Sequence, residues 1–195
     1  MTADDQKATL QLYLQDGRDA MLSKLEGLSE YDIRRPMTPT GTNLLGLVKH
    51  LSQIELGYFG ETFGRPSPDA LTLDFEHDPN ADMVAEAGES RAYITGLYRD
   101  AWEHADATIS QLSLDATGRV PWWGPKAPDV TLHRILVHVV TETSRHAGQA
   151  DIVRETIDGV AGLRRPGDNL PPGDAVWWKG YHDRVERAAR EASGD

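Results

Sequence analysis

Glu142 and His146 stand four residues apart inside the apolar-rich stretch 132–153, and His50 occupies an earlier stretch of the same character. A helix places residues four apart on one face. Two imidazoles and a carboxylate meeting from two helices make the ligand set of a catalytic-type divalent metal site, with three protein ligands and one coordination position open. Such a site activates whatever binds at the open position, water or a thiol.

Counting by the helical period from Glu142, the residues Ile135, His138, Val139, Glu142, His146, Gln149 and Val153 share a face. Polar groups buried on such a stripe without partners cost on the order of 1–3 kcal/mol each, and an ionised carboxylate costs more. A metal offsets that cost by taking the charge and the imidazole lone pairs. His50 is flanked by Leu44, Leu47, Val48, Leu51 and Ile54, which puts it on or beside the apolar stripe of its own helix. The competing reading makes His50 a hydrogen-bonded boundary histidine and pairs Glu142 with Arg145 or Arg154; spacing alone leaves both open.

His138, one turn before Glu142, is the candidate catalytic proton acceptor, and its alternative is again a boundary histidine. Gln149 or Asp151 could orient a ligand imidazole. Other metal and nucleotide chemistries have no footing. No Glu is followed three residues later by His, which a di-iron carboxylate bundle needs, and H-E-x-x-H, the Walker loop and G-x-S-x-G are absent.

Composition narrows the function classes. Lys plus Arg total 20 against 31 Asp plus Glu, a formal charge of −11 that repels phosphate backbones and anionic lipid surfaces. Nucleic-acid binding and membrane binding are therefore not expected. The sequence contains no cysteine, which excludes disulfides, thiolate ligands and a protein thiol nucleophile, so any thiol must arrive with a substrate. The first seven residues are polar, and nowhere do about 18 uncharged apolar residues run together, so a cytoplasmic location is expected.

The elements that must position these residues follow from periodicity. Leu10, Tyr13, Leu14, Gly17, Met21, Leu25 and Leu28 mark a first helix, and a second spans about 43–63 behind a Thr42 cap. Residues 65–82, rich in Pro, Asp and Asn, read as a long connection in which 71–75 could be a short extended piece. A third helix is expected over 83–112, and a fourth starts at Thr131 and stops at Asp158-Gly159. A linker at 159–173 leads to a polar helix over about 174–192. The expected fold is all-α: one domain, with a four-helix bundle over about 4–158, a long crossover connection and an additional C-terminal helix.

Thr-Asn-Leu-Leu-Gly-Leu-Val-Lys-His-Leu at 42–51 and His-Val-Val-Thr-Glu-Thr-Ser-Arg-His-Ala-Gly-Gln-Ala-Asp at 138–151 resemble the DinB-like superfamily. The likeness extends over most of the chain, including Pro121-Trp122-Trp123 and Trp177-Trp178. The superfamily's usual ligand set is three histidines; the middle position here is Glu142. The His, Glu, His set is similar to that of the mycothiol-dependent maleylpyruvate isomerase, a relative in which zinc activates a low-molecular-weight thiol. The resemblance thus implies His50, Glu142 and His146 as metal ligands. It does not imply the isomerase activity, because the extra C-terminal domain of that relative has no counterpart in this chain.

The leading expectation is a metal-dependent transferase that conjugates a small thiol, of mycothiol or bacillithiol type, to a small electrophile. The metal expected is zinc, with nickel, iron or manganese also compatible with the ligands. A metal-dependent hydrolase, with His138 or Glu55 as base, and a non-enzymatic metal-binding or dimerisation module are the alternatives. A homodimer is implied by the resemblance alone. Trp122, Trp123, Trp177 and Trp178 could line a pocket or simply cap the core, and Arg34, Arg35, Arg164 and Arg165 could receive an anionic group or lie solvated. Gly46, Gly57 and Gly96 could permit close helix approach.

Overall fold

In the computed structural model, which describes residues 2–194, six α-helices carry the chain: α1 (Ala3–Ser23), α2 (Glu30–Arg34), α3 (Leu44–Glu55), α4 (Arg91–Gln111), α5 (Leu132–Asp158) and α6 (Ala175–Ser193). The four long helices α1, α3, α4 and α5 form the bundle, with α1 packed on α5, α3 on α4, and α3 also against α5. The all-α expectation holds. Each start has a local chemical cause. Thr2 and Asp5 form a reciprocal capping box at α1, and Asn43, Ser90, Thr131 and Asp174 each accept a backbone N–H from the first turn of α3, α4, α5 and α6. Asn43, rather than Thr42, is the α3 cap. Gly159, at φ 75°, closes α5 in the left-handed conformation that glycine adopts without strain.

The core forms two layers along the bundle. One joins Met21, Leu44, Leu47, Val48, Leu51, Ile94, Tyr98, Ala147 and Val153; the other joins Leu14, Phe59, Ile109, Ile135, Leu136 and Val139. Between α1, α3 and α4 a polar pair interrupts the apolar packing. Arg18, 1% exposed, meets the fully buried Glu55 in a two-pronged contact, Nε to Oε1 at 2.9 Å and Nη2 to Oε2 at 2.5 Å, and its Nη1 reaches Asp106 at 3.0 Å. Burial pushes the Glu55 carboxyl above the usual carboxylate range, and the Arg18 charge and hydrogen bonds oppose it. Glu55 is thereby committed to holding the bundle together.

Five details depart from the sequence expectation. The second helix is not uniform: after α3 the chain widens into a π-helical turn, Leu56–Gly60, then tightens into a 3₁₀ turn, Glu61–Phe63. The third helix begins at Arg91 rather than 83, because residues 83–90 are used as a loop that crosses α3. The segment 71–75 forms no strand. The two short strands, β1 (Thr117–Gly118) and β2 (Val130–Thr131), pair antiparallel just before α5 and frame the 3₁₀ turn Pro121–Trp123. The short α2, capped by Ser29, was not anticipated, because five residues are too few to show a period.

The long connection at 64–90 is fastened to α3 rather than left loose. Asn43 Nδ2 donates to the Met83 carbonyl at 3.2 Å, and the buried Lys49 Nζ bonds the Val84 carbonyl at 2.8 Å and Glu89 at 2.9 Å. Gly46 makes this possible, since a Cβ there would lie 2.0 Å from the Met83 carbonyl oxygen. Arg34 ties the other side of the loop to the carbonyls of Ala85, Glu86 and Glu89.

Candidate metal centre

His50 lies in the second half of α3, and Glu142 and His146 lie one turn apart near the middle of α5. The packing of α3 against α5 brings the three together. His50 Nε2 is 3.7 Å from Glu142 Oε1, His146 Nε2 is 3.1 Å from the same oxygen, and one ligand atom from each of the three lies within 4.8 Å of the others. The two imidazole rings meet edge to face at 4.9 Å. All three side chains are partly exposed, so the cluster opens on one side to solvent.

The far nitrogen of each ring is held by the protein. His50 Nδ1–H donates to Asp82 Oδ2 at 2.6 Å, and His146 Nδ1–H donates to Gln149 Oε1 at 2.7 Å. With both Nδ1 atoms committed, each ring turns its Nε2 toward the Glu142 carboxylate. A shared cation satisfies that arrangement. Donors about 2.0–2.2 Å from a tetrahedral metal stand roughly 3.3 Å apart, and the two Nε2 to Oε1 separations, 3.7 and 3.1 Å, bracket that spacing. Ligating histidines characteristically donate the other N–H to a carboxylate or amide oxygen, as both do here. The residues therefore fit a divalent metal.

Asp82, only 8% exposed, is the member of the site that sequence reasoning missed. It enters from the 64–90 loop, and the Asn43 and Lys49 bonds to residues 83, 84 and 89 fix its position. Of the two orienting candidates on α5, Gln149 is the one that contacts an imidazole; Asp151 instead pairs with Lys24 at 2.7 Å. The competing pairing of Glu142 with Arg154 is not made, since Arg154 binds Asp158 and the carbonyls of Lys24 and Glu26. Glu142 has His50 and His146 as its partners.

His138, one turn before Glu142, packs against the Tyr58 ring at 4.6 Å and the Trp123 ring at 5.7 Å. Trp123 Nε1 donates to the Tyr58 hydroxyl at 3.2 Å, and Trp122 meets Tyr58 edge to face at 5.0 Å. Trp122 and Trp123 thus stand on the His138 side of the site. Trp177 and Trp178 do not join them: they form a separate cluster with Tyr181 on α6, where Trp178 lines a groove against the 159–170 segment. Arg35 and Arg164 are paired with Asp32 and Asp16. Glu55, the alternative hydrolytic base, is the buried partner of Arg18.

No helix among the described residues is long and apolar enough to cross a membrane. No curated protein matches the sequence. The family model for mycothiol-S-transferase matches residues 9–159, all of the bundle but the first residues of α1, with the His50, Glu142 and His146 cluster inside it. On that match the chain belongs to the mycothiol S-transferase family, a thiol transferase family within the DinB-like superfamily.

Proposed function

We propose that the protein conjugates mycothiol, through its sulfur, to a small electrophile, with one divalent metal, zinc foremost, held by His50, Glu142 and His146. The observation that carries this reading is the convergence of two Nε2 atoms on one carboxylate oxygen, with both Nδ1 atoms anchored from behind. When bound, the metal lowers the pKa of a thiol at its open position and so supplies thiolate at neutral pH.

The remaining work falls to the chain's own residues. Asp82 and Gln149 hold the two imidazoles in the ligating tautomer, so no reorganisation is needed when the thiol arrives. Glu142 contributes a full negative charge to the ligand set, and a thiolate would bring the site to neutrality. His138 takes the thiol proton on an imidazole nitrogen and stands about one helical turn, roughly 6 Å along α5, from Glu142. The absence of cysteine agrees with a reaction in which all the sulfur belongs to the co-substrate.

The test is elemental analysis of the protein, prepared without chelator or a metal-binding tag, beside the variants His50→Ala, Glu142→Ala and His146→Ala. About one divalent metal per chain is expected in the wild type and its loss in each variant, together with loss of mycothiol consumption in the presence of an electrophile. A wild-type protein that is metal-free and cannot be loaded with excess zinc or nickel overturns the metal-dependent reading and favours a binding or dimerisation module.

A further inference from the structure

Trp122 is set in a built seat and still leaves half of its ring in solvent. The benzo end of its indole sits against Gly57, where a Cβ would come within 2.8 Å of Cη2, so the π-helical turn gives the ring a side-chain-free seat. Tyr58 supports the ring edge on at 5.0 Å. Trp123, the neighbouring indole, is differently occupied: the Arg134 guanidinium covers its face at 5.1 Å and its Nε1 is spent on Tyr58. Of the four rings gathered here, Trp122, at 49% exposure, is the most open to solvent.

The Tyr58 hydroxyl adds a polar handle. It accepts from Trp123 Nε1 at 3.2 Å, and among the described residues it donates to none, so its own proton is available to an acceptor brought against the cluster. The group closes with His138, 4.6 Å from Tyr58 and one turn along α5 from the ligand Glu142. Widened π turns of this kind recur at functional sites, because they rotate a side chain out of the regular helical register. Here the turn aims Tyr58 at α5.

We infer that this cluster is the electrophile subsite, and that it takes flat, electron-poor conjugated acceptors, stacked on Trp122 with an acceptor oxygen held by the Tyr58 hydroxyl. The inference rests on the transferase reading above. Electron-rich indole and phenol faces attract planar, electron-poor partners, whereas a saturated ring of the same size cannot stack. For a conjugated carbonyl acceptor the step is redox neutral. The thiol sulfur forms a C–S bond to the β-carbon while the C=C electron pair moves toward the carbonyl oxygen at Tyr58. The proton that left the thiol for His138 is delivered to the α-carbon.

Equilibrium binding tests the subsite without relying on turnover. Calorimetric titration with 1,3-dinitrobenzene, planar and electron-poor but lacking a group to displace, is compared with titration by cyclohexanone. Dinitrobenzene is expected to bind once per chain, roughly tenfold more weakly in Trp122→Ala and less weakened in Trp122→Phe, with metal content unchanged in both. Trp178→Ala, which alters the exposed aromatic cluster on α6, is expected to leave the affinity unchanged. Equal affinity for dinitrobenzene and cyclohexanone, insensitivity to Trp122→Ala, or loss of binding in Trp178→Ala instead, overturns the subsite. Selective Trp122-dependent binding without any mycothiol transfer supports the subsite and places the failure in the transferase reading.

Discussion

Asp82 Oδ2 lies 2.6 Å from His50 Nδ1, a contact that joins a loop residue to a candidate ligand 32 positions earlier in the chain. The carboxylate fixes both the ring's orientation and its tautomer, leaving Nε2 to face Glu142. The loop thus completes a candidate site whose proposed ligands lie on two helices.

Removing that carboxylate should weaken metal binding without removing a ligand. Asp82→Ala is expected to lower zinc affinity roughly 10- to 100-fold, and Asp82→Asn by less because the amide oxygen can still accept. Competition with a chromophoric chelator measures this. Unchanged affinity in Asp82→Ala would mean that the contact plays no part in positioning His50.

Gly46 should prove as important to the site as to the fold. A methyl group there would lie 2.0 Å from the Met83 carbonyl, so Gly46→Ala must push the loop away from α3 and carry Asp82 with it. A loss of about 1–3 kcal/mol is expected for the overpacking, with a fall in zinc affinity although position 46 is not itself a candidate ligand. Denaturant melts and the same chelator competition check both parts. Gly96 offers the contrast, since a Cβ there meets nothing within 4 Å.

The Arg18 and Glu55 pair is buried at both ends, and removing Glu55 leaves the buried guanidinium with only the half-exposed Asp106 as counter-charge. Glu55→Ala is expected to cost about 3–5 kcal/mol, and a double replacement, Arg18→Met with Glu55→Leu, markedly less. Urea unfolding of the two variants decides the point; a double variant as unstable as the single one would refute the isolated-charge argument.

Asp158 ties the end of α5 through Arg154 to the carbonyls after α1, and the Arg154 hydrogen bond holds its carboxyl below the usual range. A carboxyl lowered in the folded state contributes stability above its ordinary pKa and loses it as pH falls through the folded value. Asp158→Asn should therefore be less stable than wild type at pH 7, by under about 1 kcal/mol at this partly exposed site. The difference should shrink to nothing as the pH is lowered through and below the ordinary carboxylate range. Thermal melts between pH 7 and pH 2 follow it; a gap that widened on acidification would carry the wrong sign.

The sequence by itself determined the parts that one helix can encode. Glu142, His146, His138 and Gln149 share a face because the helical period puts them there, and the apolar residues around His50 mark the stripe that must turn inward. Caps and breakers such as Thr131 and Gly159 write the element ends in local hydrogen bonding and backbone freedom. Tertiary structure alone decided what crosses between elements. Asp82 reaches His50 only because Gly46 lets the loop lie on α3, Glu55 meets Arg18 across 37 positions, and Tyr58 turns toward His138 through a π turn that no period announces. Periodicity reports which side of an element is buried; the path of a loop and the pairing of distant charges are set by packing and desolvation, which act only when the chain is assembled.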